Sequence, residues 1–125
     1  MTKPRGEDDG RKAVEVIIQG IQEVKGKDIV HLDLQHIPNA VSDHFVVCHG
    51  DSDTQVESIA ASVERMMKET MAEKPWHVEG TSNAEWVLVD YVNVVVHIFH
   101  REKREFYDLE GLWADARVNT IENVA

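Results

Sequence analysis

A chain of 125 residues, 42% hydrophobic and 29% charged, has the size and balance of one globular domain. Its 23 acids against 13 bases leave a formal charge of −10, a field that repels phosphate backbones and anionic lipid head groups; autonomous nucleic-acid binding and membrane attachment are disfavoured, and a basic protein partner is favoured. Cys48 stands alone, which excludes an intrachain disulfide and a multi-cysteine zinc site, no apolar run approaches the length of a bilayer span, and Met1-Thr2-Lys3-Pro4-Arg5-Gly6 lacks the apolar stretch of a secretory leader, so a reducing cytoplasm is expected.

In chain order, residues 1–8 are polar and read as a flexible arm. Val14, Ile17, Ile18, Ile21 and Val24 then recur at helical spacing and predict a helix over 9–25, with Asp8 or Asp9 as its cap and Gly26 at its end. Asp28 to Leu34 alternates as a strand does, with Val30, Leu32 and Leu34 on one face and Ile29, His31 and Asp33 on the other. Pro38 makes Ile37-Pro38-Asn39 irregular. His44 to His49 reads as a second strand, apolar enough within to be covered on both faces. Gly50 stops it. Ser52 and Gln55 have capping-box spacing and open a helix to about Glu73, whose buried side is Val56, Ile59, Ala60, Val63, Met66, Met67 and Met71.

Lys74-Pro75 ends that helix, and Trp76 to Gly80 reads as a short edge strand. Trp86 to Tyr91 and Val94 to His100 form an antiparallel hairpin around Val92-Asn93. Arg101, Lys103 and Arg104 follow, interleaved with Glu102 and Glu105. Phe106 to Trp113 reads as a short helix or turn on the sheet, and Trp113, at helical spacing beside Leu109 and Leu112, reads as core. The chain after Ala114 lacks periodicity. The fold expected is α/β, a mixed sheet of about five strands with flanking helices. One domain over 9–115 sits between the arm and a tail at 116–125.

Several constellations bear on chemistry. Gly50-Asp51-Ser52-Asp53 opens a helix after a strand and offers amides for a phosphate and carboxylates for magnesium. It lacks the extra glycines and lysine of a phosphate loop, so a capped helix start is the favoured reading. The seven histidines show no metal-ligand spacing, and His97 within Val94-Val95-Val96-His97-Ile98-Phe99 reads as a hydrogen-bonded histidine of the sheet. Cys48 beside His44 and His49 has the atoms of a nucleophile and base but no oxyanion-hole pattern, and reads as a small buried side chain. Asp33, Asp43 and Asp90 fall at strand ends, where they serve acid–base work, turn caps or a cationic partner equally well. No cofactor and no metal is expected.

Trp86 stands apart. In Trp86-Val87-Leu88-Val89-Asp90-Tyr91 it shares a strand face with Leu88 and Asp90, and a face of tryptophan, leucine and carboxylate is the composition of a protein-recognition hot spot. A tryptophan of the core is the alternative. Left unoccupied, such a face is an apolar liability, which makes a homodimer through it a further expectation.

Taken in order, Asp28-Ile29-Val30-x-Leu32-Asp33, Ser42-Asp43-x-Phe45-Val46-Val47-Cys48, Gly50-x-Ser52-x-x-Gln55-Val56, Glu79-Gly80, Trp86-Val87-Leu88-Val89-Asp90-Tyr91, Val95-Val96-His97-Ile98-Phe99 and Arg104-x-Phe106-Tyr107-x-Leu109-Glu110-x-Leu112-Trp113 resemble the Iojap family, the ribosomal silencing factors of bacteria and organelles. The resemblance runs from about residue 11 to 115. It implies a nucleotidyltransferase-like fold without the catalytic carboxylates, and therefore no enzyme. It also implies binding to the large ribosomal subunit through its protein fourteen, which keeps the small subunit away and represses translation when nutrients are scarce. The contact surface so implied is Trp86, Asp90 and Tyr91, with Ser42 and Asp43 nearby. Val92-Asn93 departs from the family's usual Gly-Asp; the turn needs a positive backbone angle that Asn adopts and Val resists. The alternative function is a metal-dependent nucleotidyltransferase-like enzyme built on Asp51, Asp53 and Asp90.

Overall fold

The computed structural model describes residues 7–124, and for 7–9 the backbone alone. Helix α1 (Glu7–Glu23) is followed by strands β1 (Lys27–Asp33) and β2 (His44–Gly50) and helix α2 (Asp53–Met71). Strands β3 (His77–Glu79), β4 (Trp86–Asp90) and β5 (Val94–His100), short helices α3 (Arg101–Tyr107) and α4 (Leu109–Leu112), and strand β6 (Arg117–Thr120) complete the chain. Six strands form one sheet in the order β3-β4-β5-β2-β1-β6. Among the described residues only β2 and β5 pair in parallel. Those two central strands are buried almost throughout, which is why His44-Phe45-Val46-Val47-Cys48-His49 and Val94-Val95-Val96-His97-Ile98-Phe99 carry apolar side chains on both parities.

Helices α1 and α2 lie together on one face of the sheet. Ile17, Ile21, Val56, Ile59, Val63 and Met67 pack there onto Ile29, Val46, Cys48, Val87, Val89, Val96 and Ile98. The helices approach closely at Gly20, where a Cβ would stand 3.1 Å from the Val63 backbone, and the Ser62 hydroxyl donates to the Gly20 carbonyl at 2.6 Å. The capping signals work locally. The Ser52 hydroxyl accepts the Gln55 N–H at 3.1 Å, and the Gln55 amide reaches the Lys25 carbonyl at 3.0 Å, tying the start of α2 to the end of α1. The α1 terminus closes with Lys25 N–H to the Gln22 carbonyl and Gly26 N–H to the Ile21 carbonyl; the left-handed residue is Lys25, at φ 59°, and Gly26 follows it.

Several expectations change. Of the arm expected at 1–8, residues 1–6 lie outside the described residues, while the backbone at 7–8 is already helical, so Asp8 and Asp9 sit inside α1 and do not cap it. The sheet has six strands rather than about five, because Arg117–Thr120, inside the expected tail, pairs with β1. Its four residues are exposed on both faces, so no apolar alternation marks them in the sequence. The helix expected over Phe106–Trp113 breaks at Asp108, which takes φ 45°. Leu109 is buried there, but Leu112 faces solvent.

The second sheet face carries a smaller core of Leu32, Leu34, Phe45, Val47, Val95, Phe99 and Leu109, edged by half-buried Trp86, Leu88, Tyr107 and Trp113. Among the described residues, the short helices α3 and α4 cover part of it, together with Ile37 and Ala40 from the β1–β2 connection and Trp113 and Ala116 after α4. Trp86 and Leu88 of β4 stay half-exposed at its margin, and no helix among the described residues is long and apolar enough to cross a membrane.

Candidate docking face

The outer side of β4 alternates as its sequence demands. Trp86, Leu88 and Asp90 are half-exposed, while Val87 and Val89 are buried against the helices. Trp86 is neither a core residue nor a loose surface one. Its ring packs on Phe99 at 4.9 Å and Tyr107 at 4.7 Å between centroids, and its indole N–H donates to His97 Nδ1 at 3.1 Å. His97 lies opposite Leu88 on β5 and is 4% exposed. Burial pushes its pKa down to about 4, so the ring is neutral and its Nδ1 lone pair is free to accept. Phe45 holds the other side of the imidazole edge-on at 4.6 Å, and Trp113 stacks edge-on against Phe45 at 5.7 Å. These contacts fix the orientation of the indole. Beside it lies a groove of about 300 Å³ lined by Glu79, Gly80, Trp86 and Leu88. Gly80, at φ 86°, brings β3 so close that a Cβ would collide with the Trp86 carbonyl.

Asp90 ends β4. Its Oδ1 accepts the Val92 N–H at 2.7 Å and its carbonyl accepts the Trp76 N–H at 2.8 Å. Of the three other residues expected on the contact surface, Tyr91 and Ser42 are buried. Tyr91 turns inward, is 6% exposed and joins the helix-side core, where burial raises its phenol pKa. Ser42 is buried, and its hydroxyl donates to the carbonyls of Val92 at 3.0 Å and His44 at 3.3 Å, lashing the loop before β2 to the hairpin tip. Asp43 stands next to it, half-buried, its carbonyl accepting the Leu34 N–H at 2.8 Å. The Tyr91 ring thus packs into the core, and Ser42 braces the loop. The reason is parity for Tyr91, which alternates with Asp90, and the loop's path for Ser42. The sequence missed His97 as the support of Trp86; its signal was a histidine of matching parity on the neighbouring strand, which needs the strand register to be read.

The residues weighed for catalysis do not assemble. Asp51 and Asp53 follow β2 beside Arg101 and His100, at 3.7 and 3.9 Å. Asp90 pairs with Val95, whereas Gly50 pairs with His100, so the strand register puts Asp90 about 17 Å away along the sheet, at its opposite end. That separation overturns the nucleotidyl-transfer arrangement on Asp51, Asp53 and Asp90. No group of three or more His, Cys, Asp or Glu suited to a metal ion occurs among the described residues. Cys48 is fully buried and its thiol is pushed up to about 12, the state of an inert side chain. Asp33, Asp43 and Asp90 do share one end of the sheet, as their places at strand ends require. In the basic cluster, Arg104 is spent internally, on Glu110 at 3.2 Å and His49 at 3.0 Å, and Lys103 lies 5.9 Å over the Phe106 ring.

The fold and face together define a small α/β domain with two long helices on one side of the sheet and, on the other, a smaller core edged by half-exposed Trp86 and Leu88. Residues 7–125 match the family described as ribosomal silencing factor during starvation. The chain belongs to that ribosomal silencing factor family. It is 44% identical over 92 residues to the ribosomal silencing factor RsfS of Bacillus subtilis, covering 74% of this chain and 76% of that one. A crystal structure of a protein from Chromobacterium violaceum superimposes with a TM-score of 0.78 at 36% identity, over 83% of this chain and 85% of that chain. A more distant mouse relative, mitochondrial assembly of ribosomal large subunit protein 1, is 31% identical over 74 residues, 58% of this chain and 32% of that longer protein.

Proposed function

We propose that the chain docks on the large ribosomal subunit through the outer face of β4, contacts its protein fourteen, and keeps the small subunit from joining. Translation is then repressed under nutrient limitation by obstruction, in the cytoplasm and without catalysis. The observation that carries this reading is Trp86, half-exposed on the outer side of β4 yet fixed by His97, Phe99 and Tyr107. A preoriented indole loses little rotamer freedom on binding, which is how a hot spot gains affinity. A standard footprint of about 800 Å² per partner is roughly a ninth of the 7309 Å² surface. The charge of −10 suits a basic ribosomal protein and hastens encounter at low salt. Family membership supports the ribosomal setting, and the mouse relative's name supports the large subunit.

The test is subunit joining on sucrose gradients with purified protein. The chain should travel with free large subunits and reduce the joined peak. Trp86→Ala should weaken binding by about 2 kcal/mol or more. Subunits that couple normally under a saturating excess of the protein would refute the reading.

A further inference from the structure

We infer that the corner of the sheet at the β4–β5 turn is a second anchor, which takes a lysine or arginine flanked by apolar side chains on a basic protein partner. This inference rests on the reading of the β4 face as the docking surface and extends it by one site.

Three segments converge at that corner: the loop before β2, the residue before β3, and the hairpin turn. Val41, Trp76 and Val92 are 77%, 76% and 48% exposed, and with Asp90 they line a groove of about 360 Å³. Apolar side chains of this size grouped in the open mark recognition surfaces more than chance exposure. The corner is also braced. Trp76 N–H donates to the Asp90 carbonyl, Val92 N–H to Asp90 Oδ1, and the Ser42 hydroxyl to the Val92 carbonyl.

Val92 makes the case specific. It holds φ 74°, and the hairpin's positive angle falls on it rather than on Asn93. A β-branched residue is strained there, where glycine would sit freely. Nearly half exposed, Val92 recovers little of that strain by burial. Folding stability alone favours glycine; an isopropyl group held out beside Trp76 serves contact with something else.

Charge selects the occupant. The groove is lined by a carboxylate and no cation. Asp90 gives one oxygen to Val92, and its other oxygen takes no hydrogen bond from the described residues. An indole beside an anion accommodates a guanidinium or ammonium group by stacking and ion pairing. A second copy of the chain would bring −10 against −10 and set like corners face to face. The corner is continuous with the docking strip, because Asp90 follows Leu88 and Trp86 along the same side of β4.

The test measures binding of the full chain to isolated large ribosomal subunits, with thermal melts on every variant. Trp76→Ser and Val92→Gly should each weaken binding about tenfold. Val92→Gly should do so while its Tm rises, an opposition of signs that damaged folding does not produce. Asp90→Asn, which keeps an acceptor for Val92, should flatten the salt dependence. If Trp86→Ala binds weakly while Trp76→Ser and Val92→Gly bind as wild type, the β4 reading survives and the corner inference is overturned. If all these variants bind as wild type, both are overturned. If Trp86→Ala binds normally and the corner variants bind weakly, the corner is supported and Trp86 alone leaves the contact surface. Loss of self-association in sedimentation, with subunit binding intact, would assign the corner to a second copy and overturn the inference.

Discussion

Moving from about pH 7.5 to pH 5 should cost the folded chain about 2 kcal/mol through His97 alone. The imidazole is 4% exposed, and burial drives its pKa from 6.5 to about 4. Unfolding restores the ordinary value. Below pH 6.5 the unfolded chain therefore binds more protons than the folded one. The stability at stake is whole above pH 6.5, drains as pH falls, and is gone below about 4; the full span is about 3 kcal/mol at 1.36 kcal/mol per unit. His31, His44 and His49 are shifted downward by burial as well and add in the same sense. The share of His97 is isolated by His97→Phe, which keeps a ring between Phe45 and Trp86 but cannot titrate. Urea unfolding of both proteins at the two pH values gives the double difference. Wild type should lose about 2 kcal/mol more than the variant. Equal losses would show that His97 is not the buried neutral acceptor described here. Trp86 fluorescence supplies a second readout, because His97→Phe removes the acceptor of the indole N–H.

Tyr91→Phe should bind large subunits as wild type and melt no lower, since the phenol is buried in the helix-side core without a hydrogen-bond partner among the described residues; weakened binding would return Tyr91 to the contact surface. Gly80→Ala should lower stability by about 2 kcal/mol or more, because φ 86° and the Trp86 carbonyl both oppose a Cβ, and denaturant titration checks it. Ser52→Ala should cost about 1 kcal/mol through the lost cap on α2, read in the same titration, with subunit binding unchanged at saturating protein.

Local chemistry made much of this legible. The strips of α1 and α2, the doubly covered β2 and β5, the hairpin and the Ser52 cap all follow from spacing and residue type, and period-two alternation put Trp86, Leu88 and Asp90 on one side of β4. Parity also placed Tyr91 opposite Asp90, and the same rule removes it from the surface. The family resemblance grouped Tyr91 and Ser42 with the contact residues, because a resemblance transfers positions and not orientations.

Composition and periodicity by themselves determined the α/β class, the two amphipathic helices and the side of each strand, since these depend on interactions between residues near in sequence. Tertiary structure alone decided the order of six strands, the recruitment of polar Arg117–Thr120 as an edge, the separation of Asp90 from Asp51 and Asp53, and the meeting of His97 with Trp86 and of Val41 with Trp76 and Val92. Each of those depends on strand register and neighbour choice, which are settled by the packing of the whole sheet and leave no mark on any single stretch of chain.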